Sequence, residues 1–215
     1  MKMSLLYYSR MRCIMQLLPL LLASQLPAHI ISVFGAGLEG DKLFMDDLSL
    51  QKPGNFSFVN FRSHVVAMKT LFMERLAKQH PQLSLTHVYP GLVQTPAFTY
   101  DYHPLWFKVL WTILGPILRT FIAISPDECG NRMLFLASSR FPPRQGSGDS
   151  SDAMVGSDGK PGSGAYAMSD KSEPVPVVKK YEKYQEVYGS DISAKVWDHT
   201  MDVFATIEAG KAYKA

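Results

Sequence analysis

Cysteine is scarce. Cys13 and Cys129 are the two in 215 residues, too few for the disulfide framework of a small secreted fold, and their spacing does not decide whether they pair. They read as reduced thiols of a cytoplasmic protein. Charge is also low: Lys and Arg total 22, Asp and Glu 19, and the formal net charge is +3. Without a long basic run, nothing marks a nucleic-acid partner. None of the six histidines forms H-x-x-x-H, and no cysteine pair has ligand spacing, so no zinc site is expected. Glu39, Asp41, Asp46 and Asp47 read as a solvated loop rather than a cation site. There is no G-x-S-x-G elbow for a serine nucleophile and no internal repeat. What the chain has is apolar side chain, 47% of residues, at a length that suits one or two domains. Disorder throughout is excluded.

Three stretches qualify that outline. Lys2, Arg10 and Arg12 precede an apolar run from Cys13 to Ala23, the outline of a secretory leader ending at small Ala23 and Ser24. Yet Leu6, Arg10, Ile14, Leu17, Leu18, Leu21 and Leu22 repeat at helical spacing, with Pro19 a local defect, and an interior helix is the preferred reading. Residues 104–124 approach the ~20 residues of a membrane span, but Lys108, Arg119 and the Gly115-Pro116 pair argue against crossing. A pair of short apolar helices, buried or lying over a ligand pocket, is expected there, with attachment to a membrane surface as the alternative. From Pro142 to Gly164, Gly, Ser, Asp and Pro dominate, predicting a flexible loop. This divides the chain into a body at 1–141, a loop at 142–164 and a C-terminal helical segment of the same domain at 165–215.

Elsewhere strand and helix patterns alternate. His29–Phe34 is a short run rich in branched residues, suited to a strand buried on both faces. His64–Gln79 carries Val65, Met68, Leu71, Phe72 and Leu76 at helical spacing. Leu83–Tyr89 reads as the next strand, giving a βαβ unit and hence a parallel sheet. Leu134–Ser138 fits either a late helix end or a strand. Lys179–Tyr188 fits a charged aromatic helix, on the surface or facing a partner. Ile192–Ile207 is a final amphipathic helix.

Gly35-Ala36-Gly37-Leu38-Glu39-Gly40 matches G-x-G-x-x-G directly after a strand. A dinucleotide site also needs a helix opening there to meet the pyrophosphate. Asp41–Asp47 and Pro53-Gly54 are loop chemistry instead, and Asn60 lies within the next helix rather than being an acid at a strand end. The glycines are therefore not read as a dinucleotide turn.

The order of the remaining motifs is informative. Tyr7-Tyr8-Ser9-Arg10-Met11-Arg12 leads a helix through Leu22, then comes the 29–34 strand, then Phe56-Ser57 opening a long helix with Arg62-Ser63-His64. Tyr89-Pro90-Gly91-Leu92-Val93-Gln94-Thr95, Ser125-Pro126-Asp127-Glu128 and Val196-Trp197-Asp198-His199-Thr200 complete the series. From about Leu6 to Ile207, outside the Gly/Ser-rich stretch, it resembles the C-terminal half of a short-chain dehydrogenase/reductase, in detail a fungal branch of natural-product pathways. The resemblance implies an α/β fold: a partial doubly wound, Rossmann-like parallel sheet lacking its N-terminal half, with an apolar helical cap. It implies NADP or NAD as cofactor. Pro90 and Gly91 would turn the chain over the nicotinamide, Val93 would hold the carboxamide through its backbone, and Thr95 would touch carboxamide or phosphate. Trp106, Phe107, Trp111 and Phe121 would line the pocket of an apolar small-molecule substrate.

The family's catalytic positions are altered. Its proton donor is a Tyr, followed one helical turn later by a Lys that lowers the Tyr pKa. The matching positions are Phe56 and Asn60, and none of the ten tyrosines is followed by Lys at the fourth position. The hydroxyl that usually follows the first strand is replaced by Gly35, and Ser57 is the nearest substitute for part of that polar function. The glycine-rich phosphate turn, which would precede residue 1, is also missing, so an interior strand edge and one face of its helices are expected to be open. The resemblance, with these gaps, implies one of two functions: an oxidoreductase of an apolar carbonyl or alcohol, in a truncated or incomplete form that could self-associate, or a non-catalytic remnant that binds a ligand or a partner.

Overall fold

The computed structural model describes residues 3–95, 104–145, 152–189 and 191–214. A π-helical turn, Ser4–Tyr8, runs into α1 (Ser9–Leu22) and then β1 (Ala28–Val33). α2 (Phe58–Gln79) crosses over to β2 (Leu83–Val88), and α3 (Leu105–Phe121) and α4 (Pro126–Phe135) follow. β3 (Ala165–Met168), α5 (Val178–Tyr188) and α6 (Ile192–Glu208) complete the order. The sheet is parallel throughout, with β2 in the middle: Val33 pairs with Val88, and Val88 with Met168. This is the expected α/β architecture, a partial Rossmann-like sheet. α2, which makes the crossover from β1 to β2, is the most buried of its helices, as a parallel sheet requires.

α2, α4 and α6 start where the sequence provides a side-chain cap. The Ser57 hydroxyl accepts the Asn60 N–H at the head of α2. Ser125 does the same for Glu128 in α4, with Pro126 in the first turn, where its missing N–H costs nothing. α2 begins six residues before the expected His64, because Ser57 caps a turn whose side chains, Phe58 and Val59, stay exposed. Periodicity alone does not register an exposed first turn.

The core lies where α2 is held between the sheet and α6. Val65, Met68, Phe72 and Leu76 are fully buried, and Phe72 stacks on Trp197 of α6 with ring centroids 4.8 Å apart. α1 adds Met11, Ile14 and Leu18, and Pro19 sits inside that helix without ending it. The Tyr7 hydroxyl bonds Thr200 Oγ1 at 2.8 Å, tying the start of the chain to α6. Both cysteines are free.

Four expectations need correction. β1 is not buried on both faces: its first residues are only half-buried, because it is an edge of the described sheet. Clefts of about 520 and 730 Å³ flank it, the first against Arg10 and Leu17 of α1, the second against Met133 and Leu134 of α4. Residues 104–124 do not form two helices. Pro116 removes one ladder bond, but α3 continues through it, and Gly115 packs against the Trp111 indole. Residues 152–164, expected to be flexible, form turns with their backbone groups paired: Gly156 N–H donates to Lys160, Gly162 N–H to Met154 and Ser157 N–H to Ala165. Turn hydrogen bonds supply there the order that composition could not. Finally, the segment from 165 is not wholly helical, since it opens with β3, four buried residues too short for an alternation pattern. Residues 146–151 of the expected loop lie outside the described residues.

The loop from Gly35 to Ser57 is organised by one carboxylate. Asp47 is buried and accepts the N–H groups of Gln51 and Lys52 at 2.7 and 2.9 Å and the Asn55 amide at 2.9 Å. Burial pulls its carboxyl up, but the bonds from Asn55, Gln51 and Lys52 and the Lys52 charge outweigh this and hold it below the usual carboxylate range. A depressed folded pKa contributes stability above the unfolded value, and this is lost as pH falls through the folded one. Asp47→Ala is expected to cost about 2–4 kcal/mol in urea unfolding at neutral pH. The difference from wild type should shrink below about pH 4; equal midpoints at pH 7 would show that the loop does not depend on this carboxylate.

Candidate functional site

Parallel strands bring their carboxyl ends to one side, and ligands of open α/β sheets sit beyond those ends. Here the two ends are adjacent. Phe34 N–H donates to Val88 O at 2.8 Å, so Gly35 follows β1 directly beside the Tyr89-Pro90-Gly91 exit of β2. The first candidate residues therefore share one rim.

Gly91 has φ +75°, and a Cβ on it would lie 2.8 Å from the Asp170 Cβ. Glycine is required there by both backbone and packing. After the turn, Val93 makes a parallel bridge with Ile124: Ile124 N–H donates to Leu92 O, and Gln94 N–H to Ile124 O. Backbone groups alternate along an extended segment, so the N–H and carbonyl of Val93 itself face the other edge. One donor and one acceptor at a strand end are what a carboxamide needs. Thr95 is exposed, close behind in the chain.

The positions expected to match the family's catalytic residues hold other duties. Asn60 gives its side-chain amide to Asn55 O at 2.9 Å and its backbone N–H to Ser57. Phe56 lies 6.0 Å from the Phe61 ring, half exposed. Ser57, weighed as a partial replacement for the missing hydroxyl, is occupied as the helix cap. Gly35 gives its N–H to His87 Nε2 at 3.3 Å. A backbone donor thus stands where a side-chain hydroxyl was expected.

The expected substrate wall is only partly assembled. Phe107 and Trp111 stack with centroids 6.2 Å apart on the half-buried side of α3, whereas Trp106 and Phe121 are 67% and 80% exposed. These four side chains do not line one surface. The rim and α3 are nevertheless joined, through the Val93–Ile124 bridge and the Gln94 side chain, which donates to Arg119 O at 3.2 Å.

Under the rim lies a basic cluster that the sequence reading missed. Lys69 is fully buried, and its Nζ has no hydrogen-bond partner among the described residues; it stands 4.6 Å over the Phe34 ring. Burial, then the neighbouring Arg10 guanidinium, lowers its pKa to about 7. His87, also buried, is pushed to about 3 by burial, then Lys69 and Arg10, so it is neutral. Its Nε2 accepts from Gly35, which puts the proton on Nδ1 for donation to Thr70 Oγ1 at 2.9 Å. A signal existed: Val65, Lys69, Phe72 and Leu76 fall on one helical stripe, with a lysine amid apolar side chains.

The G-x-G-x-x-G match also finds its explanation. Gly37 has φ +88°, and a Cβ there would meet Val175 at 2.5 Å, while one on Gly40 would meet the Ser63 side chain. α5 braces this loop: Tyr181 donates to Glu39 Oε1 at 3.0 Å, Tyr184 to Gly40 O, and Lys180 pairs with Asp41. The charged aromatic helix faces its own chain. Among the described residues no group of three or more His, Cys, Asp or Glu side chains could hold a metal. No described helix is long and apolar enough to cross a membrane.

Comparison with known proteins finds fungal oxidoreductases. Over 208 residues the chain is 39% identical to a short-chain dehydrogenase/reductase of Stachybotrys chartarum, covering 92% of this chain and 56% of that protein. The sequence matches part of a short-chain dehydrogenase/reductase. It is also 39% identical over 201 residues to an oxidoreductase of Emericella nidulans, covering 90% of this chain and 58% of that protein. With an oxidoreductase of Emericella variicolor it shares 31% over 211 residues, 94% of this chain and 59% of the other. The chain thus spans little more than half the length of these relatives. No family model matches it.

A lysine whose folded pKa lies below its unfolded value of about 10.4 penalises folding fully at low pH. That penalty fades as pH rises from about 7, the folded value, to the unfolded one. Wild-type stability should therefore climb across this window. Lys69→Met, similar in shape and uncharged, is expected to raise stability at pH 7 by about 2 kcal/mol and to flatten the slope. Identical pH profiles in urea titrations of the two proteins would sink this account of Lys69.

Proposed function

We propose that this chain is a portion of an NAD(P)-dependent oxidoreductase of the short-chain dehydrogenase/reductase type, acting in the cytoplasm on a carbonyl or alcohol of an apolar secondary metabolite. The observation that carries the reading is the Pro90–Val93 turn at the carboxyl end of β2. It combines a required glycine with a backbone donor and acceptor on the edge away from Ile124. Relatives named as oxidoreductases support the reaction class.

In this reading Val93 holds the nicotinamide carboxamide through its N–H and carbonyl, and Pro90-Gly91 presses the chain against the ring. The cofactor, when bound, supplies or accepts the hydride. Thr95 reaches the carboxamide or a phosphate. Phe107 and Trp111 exclude water from the apolar substrate on the α3 side. No proton is held at Gly35, Phe56 or Asn60, since none of these side chains titrates. Proton transfer to the substrate oxygen therefore falls to solvent or to a group outside these residues.

A second reading has its own support. Asn60, Ser57 and Phe56 are all engaged in building the head of α2, as they would be in a protein that binds a ligand or partner and performs no chemistry.

The two separate in a full-length gene product. Phe56→Tyr with Asn60→Lys restores the family's proton donor at the i, i+4 spacing. If the wild type already transfers hydride across a panel of apolar carbonyls and the double variant changes kcat less than about threefold, the oxidoreductase reading holds with a different proton route. A wild type that binds NAD(P) weakly and never turns over, with activity appearing only in the variant, would establish the remnant.

A further inference from the structure

Tyr8 and His199 belong to two sequence motifs that the rim does not use, and the fold brings them together. Tyr8 Oη lies 2.7 Å from His199 Nε2 and 2.9 Å from Ser49 Oγ, and Tyr213 Oη lies 3.3 Å from His199 Nδ1. A hydrogen-bonded chain thus runs Ser49–Tyr8–His199–Tyr213. Both its ends line a cavity of about 460 Å³, walled on another side by Val203, Phe204 and Ile207 of α6. No rim residue lines it. Arg10, which donates to Val33 O at the end of β1, and Arg12, which lines the cavity, project about 160° apart around α1. Cavity and rim therefore lie on opposite sides of that helix.

The chain holds one hydrogen more than it has links. Burial keeps the His199 pKa below its ordinary value, so the imidazole is neutral and carries one ring hydrogen; the three hydroxyls carry one each. Three of these four hydrogens fill the three links, and the fourth stays at one end. With the ring hydrogen on Nδ1, donated to Tyr213, the spare one is on the Tyr213 hydroxyl and Ser49 keeps acceptor capacity. With it on Nε2 the direction reverses, and Ser49 holds the spare hydrogen. The 3.4 Å contact between Ser49 Oγ and Nε2 draws on the same set. Ser49 is only 8% exposed, and its outlet is the cavity. In either tautomer the cavity presents a donor at one end of the chain and an acceptor at the other.

We propose that this cavity is a second binding site, for a small neutral alcohol or phenol whose hydroxyl joins the Ser49–Tyr213 chain and whose apolar body lies on Phe204 and Ile207. Its size and mixed lining are those of a small-molecule site. Charged ligands fit less well. The carboxylates of Asp47 and Asp202 both act on His199 and Tyr213 and would repel an anion. A cation would find one acidic side chain in the lining, Glu208, already paired with Arg12, which also lies 5.4 Å over the Phe204 ring. The proposal is independent of hydride transfer at the rim.

The test is titration of the 215-residue chain with 2-naphthol and with 2-methylnaphthalene, followed through the NMR methyl signals of isoleucine and valine. In the wild type, 2-naphthol should shift Ile207 and Val203 and leave Ile113 and Ile117 of α3 in place, a readout that needs no variant. Ser49→Ala with Tyr213→Phe removes the hydroxyls at both ends of the chain. It should weaken 2-naphthol about tenfold and change 2-methylnaphthalene less than about twofold. Ile207→Trp, at a position 57% exposed, fills the cavity from its mouth and should weaken both probes at least about tenfold, with the thermal midpoint unchanged. Three results would overturn the proposal: 2-naphthol that shifts no methyl at the cavity, a folded double variant that loses both probes equally or neither, or an Ile207→Trp protein that binds as wild type does.

Discussion

Two parallel strands cannot be joined by a tight turn, and the pairing of Ala28–Val33 with Leu83–Val88 is the constraint on which the rest of the molecule depends. The chain must leave β1 at one end of the sheet and return to β2 at the other. It does so with the Gly35–Ser57 loop and α2. Once α2 lies across the sheet, its outer side needs a cover, and α6 provides it through Trp197 and its neighbours. The loop in turn needs a brace, because a structureless connection of that length has no ladder to satisfy its backbone. Asp47 from within and Tyr181, Tyr184 and Lys180 from α5 supply one. The same pairing sets Gly35 beside Pro90, which makes the rim at all.

The βαβ unit was legible because its signal is spread over many residues: branched runs at both strands and an apolar stripe from Val65 to Leu76. The failures share a different cause, which is that the deciding partner is distant in sequence. β3 is a strand because β2 offers Leu85–Val88 as its template, and four residues carry too little pattern to say so. β1 lost its expected burial because it stands at the edge of the described sheet, a property of neighbours rather than of its own side chains. Residues 152–164 are ordered by backbone bonds to Arg140 and Ala165, among others, which composition does not encode. α3 reads as helix-breaking at Pro116 locally, yet one lost bond in a long helix does not outweigh the others.

At the candidate site the sequence was more informative about what had been replaced than about what replaced it. The absence of Tyr-x-x-x-Lys is visible from the letters alone. That Ser57 and Asn60 close the first turn of α2 on each other and on Asn55 emerges only from geometry. These are the donors and acceptors that helix ends always lack, so these residues are not idle; they cap the helix. Lys69 is a subtler case. It sat in the apolar stripe in plain view, but a buried lysine is so rare that a surface reading is the default. Its position, beside Phe34 and a neutral His87, places a basic cluster under a rim proposed to receive a cofactor.

Such a cluster bears on the electrostatics of that rim. Cations beneath the rim disfavour positive charge placed on it and favour negative charge there. The size of both effects depends on protonation of Lys69, since Arg10 is committed to Val33 O and His87 is neutral. With its pKa held near 7, Lys69 changes charge in the physiological range. The net field at the rim therefore shifts with pH even though Lys69 touches no solvent. A site without a titrating Tyr–Lys pair can still carry a pH-dependent field, supplied from the interior of α2 rather than from its first turn.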